Sequence, residues 1–400
     1  MPVNAVPSAK RAALRLPWAT LATMMIGLLA GCQGATKEVL DVEPPKAGQV
    51  RRAAMQAPKP QETIGVGPTR IGLVTALMAT TGASERERDV RDGALLALDE
   101  LGGGELALAI ENTDGSPQQL RDAAQRLASQ DVKLVAVSAT DAPIGVVREG
   151  FGAKGAPILA LRNNALERPA GTFSFVSDRI DSAVEGASYA AASGRTRLVV
   201  LSSADLTATE SQRLASGLAS YNIKPLVMTA AGADPFSGDA NTKAGIKDVD
   251  SVLLVGAGDA DVGALSRLRA GGYLKPDAII LGSSGWSSAA YKRPELAGSH
   301  LCLFGPENGS RMTASFRQRY ERPADVDAAY GFDVVALAAG LARTQNENGI
   351  NEQTMKSPAG FLGAAAAFRF DKDGSVRRTC AIHQVAGGSL KLVDPAPRSF

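Results

Sequence analysis

From Thr69 onward, short apolar runs alternate with stretches in which apolar positions recur every three or four residues. Arg70-Ile71-Gly72-Leu73-Val74-Thr75-Ala76-Leu77 predicts a strand, followed by a polar loop over 80–84. A helix is expected from about Glu85, with Val90, Ala94, Ala97, Leu98 and Leu101 on one face and Gly102-Gly103-Gly104 as its stop. The next strand, 106–111, runs into Asn112-Thr113-Asp114-Gly115. Ser116 then caps a helix that starts on Pro117 and turns Leu120, Ala124 and Leu127 inward. Two more buried strands fall at 134–137 and 158–161, with a helix between them. Further strands are expected at 198–201, 225–229, 251–255 and 278–281, with helices from about Thr209 and Asp261. After Gly298 the alternation breaks. One long helical stretch, 312 to about 343, precedes a hairpin of 368–370 and 376–385 that turns at Asp371-Lys372-Asp373-Gly374. Strands alternating with helices predict parallel sheets covered on both faces, and there are more strands than one such sheet usually holds. Two α/β lobes are expected.

The residues ahead of Thr69 read differently. Residues 33–68 show no hydrophobic period and contain Glu43-Pro44-Pro45-Lys46 and Ala57-Pro58-Lys59-Pro60, so 32–68 reads as a disordered tether. Ahead of it, Lys10, Arg11 and Arg15 lead into an apolar run from Leu16 to Ala30, the layout of a secretory signal over 1–31. That run is shorter than the ~20 residues of a spanning helix. Leu29-Ala30-Gly31-Cys32 resembles the lipobox of bacterial lipoproteins. The resemblance implies cleavage before Cys32, lipidation of Cys32 and a membrane anchor. Gln33, standing where Asp would favour inner-membrane retention, inclines the expectation toward the outer membrane.

Charge and chemistry narrow the function. Forty-three basic against 41 acidic residues give a net charge of +2, which removes the electrostatic case for nucleic acid. No HExxH, CxxC or Cys/His cluster is present, so neither a metal nor another cofactor is expected. His300 and His383 both lie in or beside apolar strand patterns, and nothing assembles a base, a nucleophile and an oxyanion site, so an enzyme is not expected. Cys302 and Cys380 sit in strand-like runs, where a disulfide and two buried thiols both stay open. Val255-Gly256-Ala257-Gly258-Asp259-Ala260-Asp261 has the outline of a dinucleotide loop, but its third Gly is misplaced and two Asp would oppose a pyrophosphate. Glu85-Arg86-Glu87-Arg88-Asp89 reads as the solvated first turn of a helix. Trp286, in a Gly/Ser loop, fits a cleft wall, an interface anchor or core packing.

The region from Thr69 onward is similar to the type I periplasmic-binding-protein fold, in the leucine/isoleucine/valine-binding branch. The likeness rests on Ile71-Gly72-Leu73 with a Thr-Gly loop after it, on Asp92-Gly93-Ala94-Leu95-Leu96-Ala97-Leu98-Asp99, and on Asn112-Thr113-Asp114-Gly115. Late in the chain, Tyr330-Gly331-Phe332-Asp333, Phe361-Leu362-Gly363 and Phe370-Asp371-Lys372-Asp373-Gly374 add to it. It implies a first lobe of 69–175 plus 306–345, a second of 176–300 plus 350–395, and a ligand cleft between them at the strand ends. By the same resemblance the cleft loops are 78–84, 138–141, 162–164, 202–205, 256–259 and 283–286. Thr80, Thr81, Ser138, Thr140, Asn163, Ser203, Asp205, Asp259, Ser284 and Trp286 are the candidate ligand residues.

Departures from the amino-acid binders shape the functional expectation. Those proteins usually carry Gly-Pro-x-x-Ser after the third strand, where the Ser and backbone N–H groups hold an α-carboxylate. This chain has Val137-Ser138-Ala139-Thr140-Asp141 there, and Leu161-Arg162-Asn163-Asn164 in the following loop. Asp205 and Asp259 are the acids available for an ammonium group, and no Tyr matches the family's aromatic partner. The lipobox, the Pro/Ala tether, Leu161-Arg162-Asn163-Asn164, Gly282-Ser283-Ser284-Gly285-Trp286 and Arg293-Pro294-Glu295-Leu296-Ala297-Gly298 are similar to bacterial penicillin-binding-protein activators. This second resemblance implies a regulator of peptidoglycan synthesis that touches a peptidoglycan synthase. The alternative is the substrate-binding lipoprotein of an ABC importer, which meets a permease and takes an amino acid or a related small polar solute.

Overall fold

Two mainly parallel sheets and one small antiparallel sheet organise the computed structural model, which describes residues 57–79, 84–139, 143–152, 155–163, 168–230, 245–306, 310–345 and 349–400. All of these residues fall in one compact unit, Pro44–Phe400. The first sheet contains β1 Gln61–Gly65, β2 Thr69–Thr75, β3 Leu106–Asn112, β4 Val135–Val137, β5 Ile158–Ala160 and β6 Thr172–Ser174, in the order β1-β3-β2-β4-β5-β6. All its pairings are parallel except β1 with β3. Helix α1 (Glu85–Leu101) covers one face, and α2 (Pro117–Ser129) with α3 (Ile144–Phe151) covers the other. Ser116 caps α2 at Gln119 and Pro117 opens it, as its sequence requires.

The second sheet contains β7 Leu198–Ser202, β8 Val227–Ala230, β9 Val249–Leu254, β10 Leu274–Gly282, β11 His300–Leu303, β15 Ala381–Ala386 and β16 Ser389–Asp394. Its order is β16-β15-β11-β10-β9-β7-β8, with β15 and β16 antiparallel to their neighbours. Helices α4 (Arg179–Ala192) and α5 (Ala208–Ser220) pack on one face and α6 (Asp259–Ala270) on the other. The remaining helices are α7 Ser310–Tyr320, α8 Val326–Gln345 and the short α9 Glu352–Met355. Strands β12 Phe361–Leu362, β13 Ala367–Phe370 and β14 Val376–Arg378 form the small third sheet. This is the expected α/β architecture of two lobes. Among the described residues, no helix is long and apolar enough to cross a membrane.

Three boundaries differ from the sequence reading. Order begins before Thr69, because Gln61–Gly65 adds β1 to the edge of the first sheet. An edge strand is held by main-chain bonds, so its one buried apolar residue, Ile64, leaves no periodic signal. The long helix breaks in two after Tyr320, where Glu321 has φ 57° and Pro323 bars its predecessor from helical backbone. The 376–385 run also splits: β14 stays with the hairpin while β15 pairs with β11. Cys302 and Cys380 are joined there by a disulfide with a Cα–Cα distance of 5.4 Å. Phe368, Phe370 and Val376 of the hairpin share the core of Phe173, Phe175 and Tyr330, so 361–378 packs on the first sheet's side instead of the second's.

The late motifs prove to be packing devices. At the α1–α8 crossing, a Cβ on Gly93 would overlap the carbonyl of Ala328, and one on Gly331 would overlap the carbonyl of Val90. Only glycine at both positions lets the two backbones touch. Asp333 reaches from α8 to accept from the N–H groups of Ala364 and Ala365, and a Cβ on Gly363 would strike that carboxylate.

Candidate functional site

The carboxyl ends of the parallel strands gather the loops in which the candidate residues lie. Cys32, Thr80, Thr81, Thr140, Asp141 and Asn164 fall outside the described residues. The others can be placed individually.

Ser138 follows β4 and is 1% exposed. Its hydroxyl donates to Glu87, whose same carboxylate oxygen, Oε2, accepts from the N–H of Ala76 at 3.1 Å. Ser84 caps α1 by accepting from the N–H of Glu87, but the Glu87 side chain turns away to the ends of β2 and β4. The run 85–89 is therefore solvated only at Glu85 and Arg88: Glu87 is 2% and Asp89 7% exposed. Burial, the largest influence, pushes the Glu87 carboxyl up despite its two donors. Arg86 contacts Asp327 at 3.0 Å and donates to the carbonyl of Leu161, tying the loop after β5 to α8. An internal carboxylate thus occupies the Ser138 hydroxyl after β4 and the Ala76 N–H after β2. Glu87→Ala leaves the Ala76 N–H unpaired and Ser138 with only its 3.3 Å bond to the Val74 carbonyl, and should cost about 1–3 kcal/mol of stability. Millimolar acetate should restore part of that in a denaturation curve, and have no such effect on the unaltered chain.

Asn163 is brought to the second lobe, where its amide donates to Asp181 at 2.5 Å. Asp178 and Asp181 form the capping box of α4, and Arg213 from α5 contacts them at 2.6 and 3.1 Å. Burial first, and the Asp178 charge second, push Asp181 up to about 7. Ser203 and Arg179 hold Asp205 below the ordinary carboxylate range, Arg179 from 2.9 Å. Arg179 also bonds Glu210 at 3.0 Å. Asp259, 99% exposed, meets Arg293 at 2.8 Å. Neither acid is an isolated charge waiting for a cation.

Ser284 and Trp286 take structural roles. The Ser284 N–H donates to Ser182 at 2.8 Å, and Ser182 in turn donates to the carbonyl of Cys302 at 2.5 Å. Trp286 is 4% exposed and its Nε1 donates to Leu254 at 3.0 Å, so of the three roles it takes core packing. The glycine loop after β9 is a close approach of elements: a Cβ on Gly256 would strike Ser203 and Asp261. Glu87, Asp181, Arg213, Arg179 and Arg293 were not found as site residues from sequence. The spacings Ser84-x-x-Glu87 and Asp178-x-x-Asp181 were the available signal.

Raised carboxylates, Asp89, Asp181 and Asp333 among them, set the pH response. Burial lifts Asp89 and Asp333 to about 6 and Asp181 to about 7, above the ordinary range that the unfolded chain shows. The folded state holds these protons more tightly, so their stabilisation is present at low pH and lost as pH rises through about 6–7. The thermal unfolding midpoint should therefore be higher at pH 5 than at pH 8; a midpoint that falls toward pH 5 contradicts this.

A model of the family described as periplasmic binding protein matches residues 68–389. The chain belongs to the periplasmic binding protein family. Membership implies a periplasmic location, and the lobes and strand-end loops above are those of the type I, leucine-binding kind of fold. No curated protein matches the sequence significantly. Solved structures do resemble it. A Rhodospirillum rubrum protein provisionally named a branched-chain amino acid ABC transporter superposes with a TM-score of 0.63 at 15% identity, covering 81% of this chain and 99% of its own. An ABC transporter substrate-binding protein from Desulfitobacterium hafniense gives 0.55 at 15% identity, with coverages of 81% and 99%. The substrate-binding protein LivJ from Streptococcus pneumoniae, in complex with isoleucine, gives 0.50 at 18% identity, with 82% and 99%. At these identities the likeness is one of fold.

Proposed function

We propose that this periplasmic binding protein is a lipoprotein, anchored through Cys32, that binds a small polar solute for an ABC importer. The family match across 68–389 carries the reading. The resembling structures support it, being named for ABC transporters, one of them holding isoleucine. They support the import receptor above the peptidoglycan-synthase regulator that the sequence resemblance put first. Ser138 is engaged by Glu87, so an α-carboxylate finds that donor taken. The solute is accordingly a polar molecule held through other groups, or one that displaces Glu87.

One observation favours the regulator as a second reading: Ser138, Asp205 and Asp259 are all satisfied within the chain. Affinity purification of the full-length lipidated chain from detergent-solubilised membranes separates the two. Recovery of an ABC permease supports the import receptor; recovery of a peptidoglycan synthase without a permease replaces it with the regulator.

A further inference from the structure

Beside the strand ends, a cavity of about 280 Å³ opens where three parts of the fold meet. Asn163 and Arg168, which follow β5, form one wall, the facing sides of α4 and α5 a second, and the β13–β14 hairpin the third. Space remains because, beyond Arg213, α5 presents only the small residues Ser216, Gly217 and Ser220 to it.

The lining alternates in sign. At the rim, Arg168 contacts Asp373 at 3.0 Å and Arg377 contacts Asp371 at 2.8 Å. Asp373 is 61% exposed and Asp371 35%, so these two pairs are partly wet and exchange partners at small cost. Deeper in, Arg213 is fixed by Asp178 and Asp181, and Glu185 accepts from the Tyr221 hydroxyl at 2.6 Å. The Tyr221 ring lies 5.4 Å from the Arg377 guanidinium, and Val184 and Val376 add apolar surface.

A net anion entering this lining would displace a carboxylate from its arginine and leave that carboxylate unpaired. A net cation would do the same to a guanidinium. A molecule bearing both charges replaces both partners at once: its anionic end meets Arg168 or Arg377, its cationic end Asp371 or Asp373. We propose that this cavity, which shares only Asn163 with the strand-end candidates of the family reading, binds a small zwitterion. Its walls come from both lobes and the hairpin, so occupancy favours the relative arrangement of lobes seen here.

Calorimetric titration of the full chain in detergent tests this, with β-alanine, γ-aminobutyrate and carnitine as probes and succinate and putrescine as single-sign controls. At least one zwitterion should give a saturable heat that neither control gives. Ser216→Trp, which fills the cavity from an exposed position, should weaken it at least tenfold while the unfolding midpoint stays unchanged; Ser220→Trp repeats the test if that variant does not fold. Silence from all three zwitterions, equal binding of succinate or putrescine, or full affinity in a folded tryptophan variant would overturn the proposal.

Discussion

Replacing Arg378 with methionine should cost the folded chain about 3–5 kcal/mol at neutral pH. Arg378 and Asp333 are both fully buried and meet at 3.4 Å. The guanidinium also donates to the carbonyl of Phe175 at 3.0 Å and lies 4.7, 4.9 and 5.2 Å from the rings of Phe368, Tyr330 and Phe175. This one side chain joins the hairpin, α8 and the end of β6, where the chain passes from the first sheet toward α4. Burial already pushes Asp333 up to about 6, and Arg378 is the largest influence holding it down. Without the arginine it rises further, so the cost should be greatest at pH 8 and shrink toward pH 5 as Asp333 takes a proton. Pairing Arg378→Met with Asp333→Asn should recover much of the loss. Denaturant unfolding at the two pH values reads all of this; a loss below about 1 kcal/mol, equal at both, would refute it.

The second large effect belongs to the helix crossing. Gly331→Ala should destabilise by about 3 kcal/mol, the upper end for overpacking, because the new methyl meets the backbone of Val90 and not a side chain that can turn aside. The helices must separate, and with them Val90, Ala94, Val334 and Val335 of one core. Gly340→Ala on the same helix has open space around it and should be neutral or stabilising by up to about 1 kcal/mol. Opposite signs from the same substitution on one helix isolate packing from propensity. If both variants gain stability, the close crossing is wrong.

Much of the fold was legible because parallel strands and their covering helices are buried, and burial writes itself into periodicity. The strand at Thr69–Thr75 and the Pro-started helix at Pro117 are examples. Residues β1 holds by edge pairing, and the break at Glu321, carry no such pattern. The site was far less readable. Glu87 sits in a run of alternating charge that a wet helix turn would share, and its burial depends on Ser138, 51 residues away. Asp205 and Asp259 were named as candidates, yet only the fold reveals Arg179 and Arg293 beside them. A polar residue's type states what it can bond; its partner is fixed by tertiary structure. Trp286, equally suited to a wall or a core, was decided by the carbonyl of Leu254 within reach of its indole N–H.

Ligand-induced stabilisation tests the central claim most directly. The full chain is heated by itself and with a library of amino acids, aromatic acids, polyamines and small sugars, each at millimolar concentration. A solute receptor should show one solute class raising the unfolding midpoint by several degrees, as expected from ~2.7 kcal/mol at a hundredfold excess over Kd. A library that leaves the midpoint unmoved at every concentration would contradict the solute-binding account.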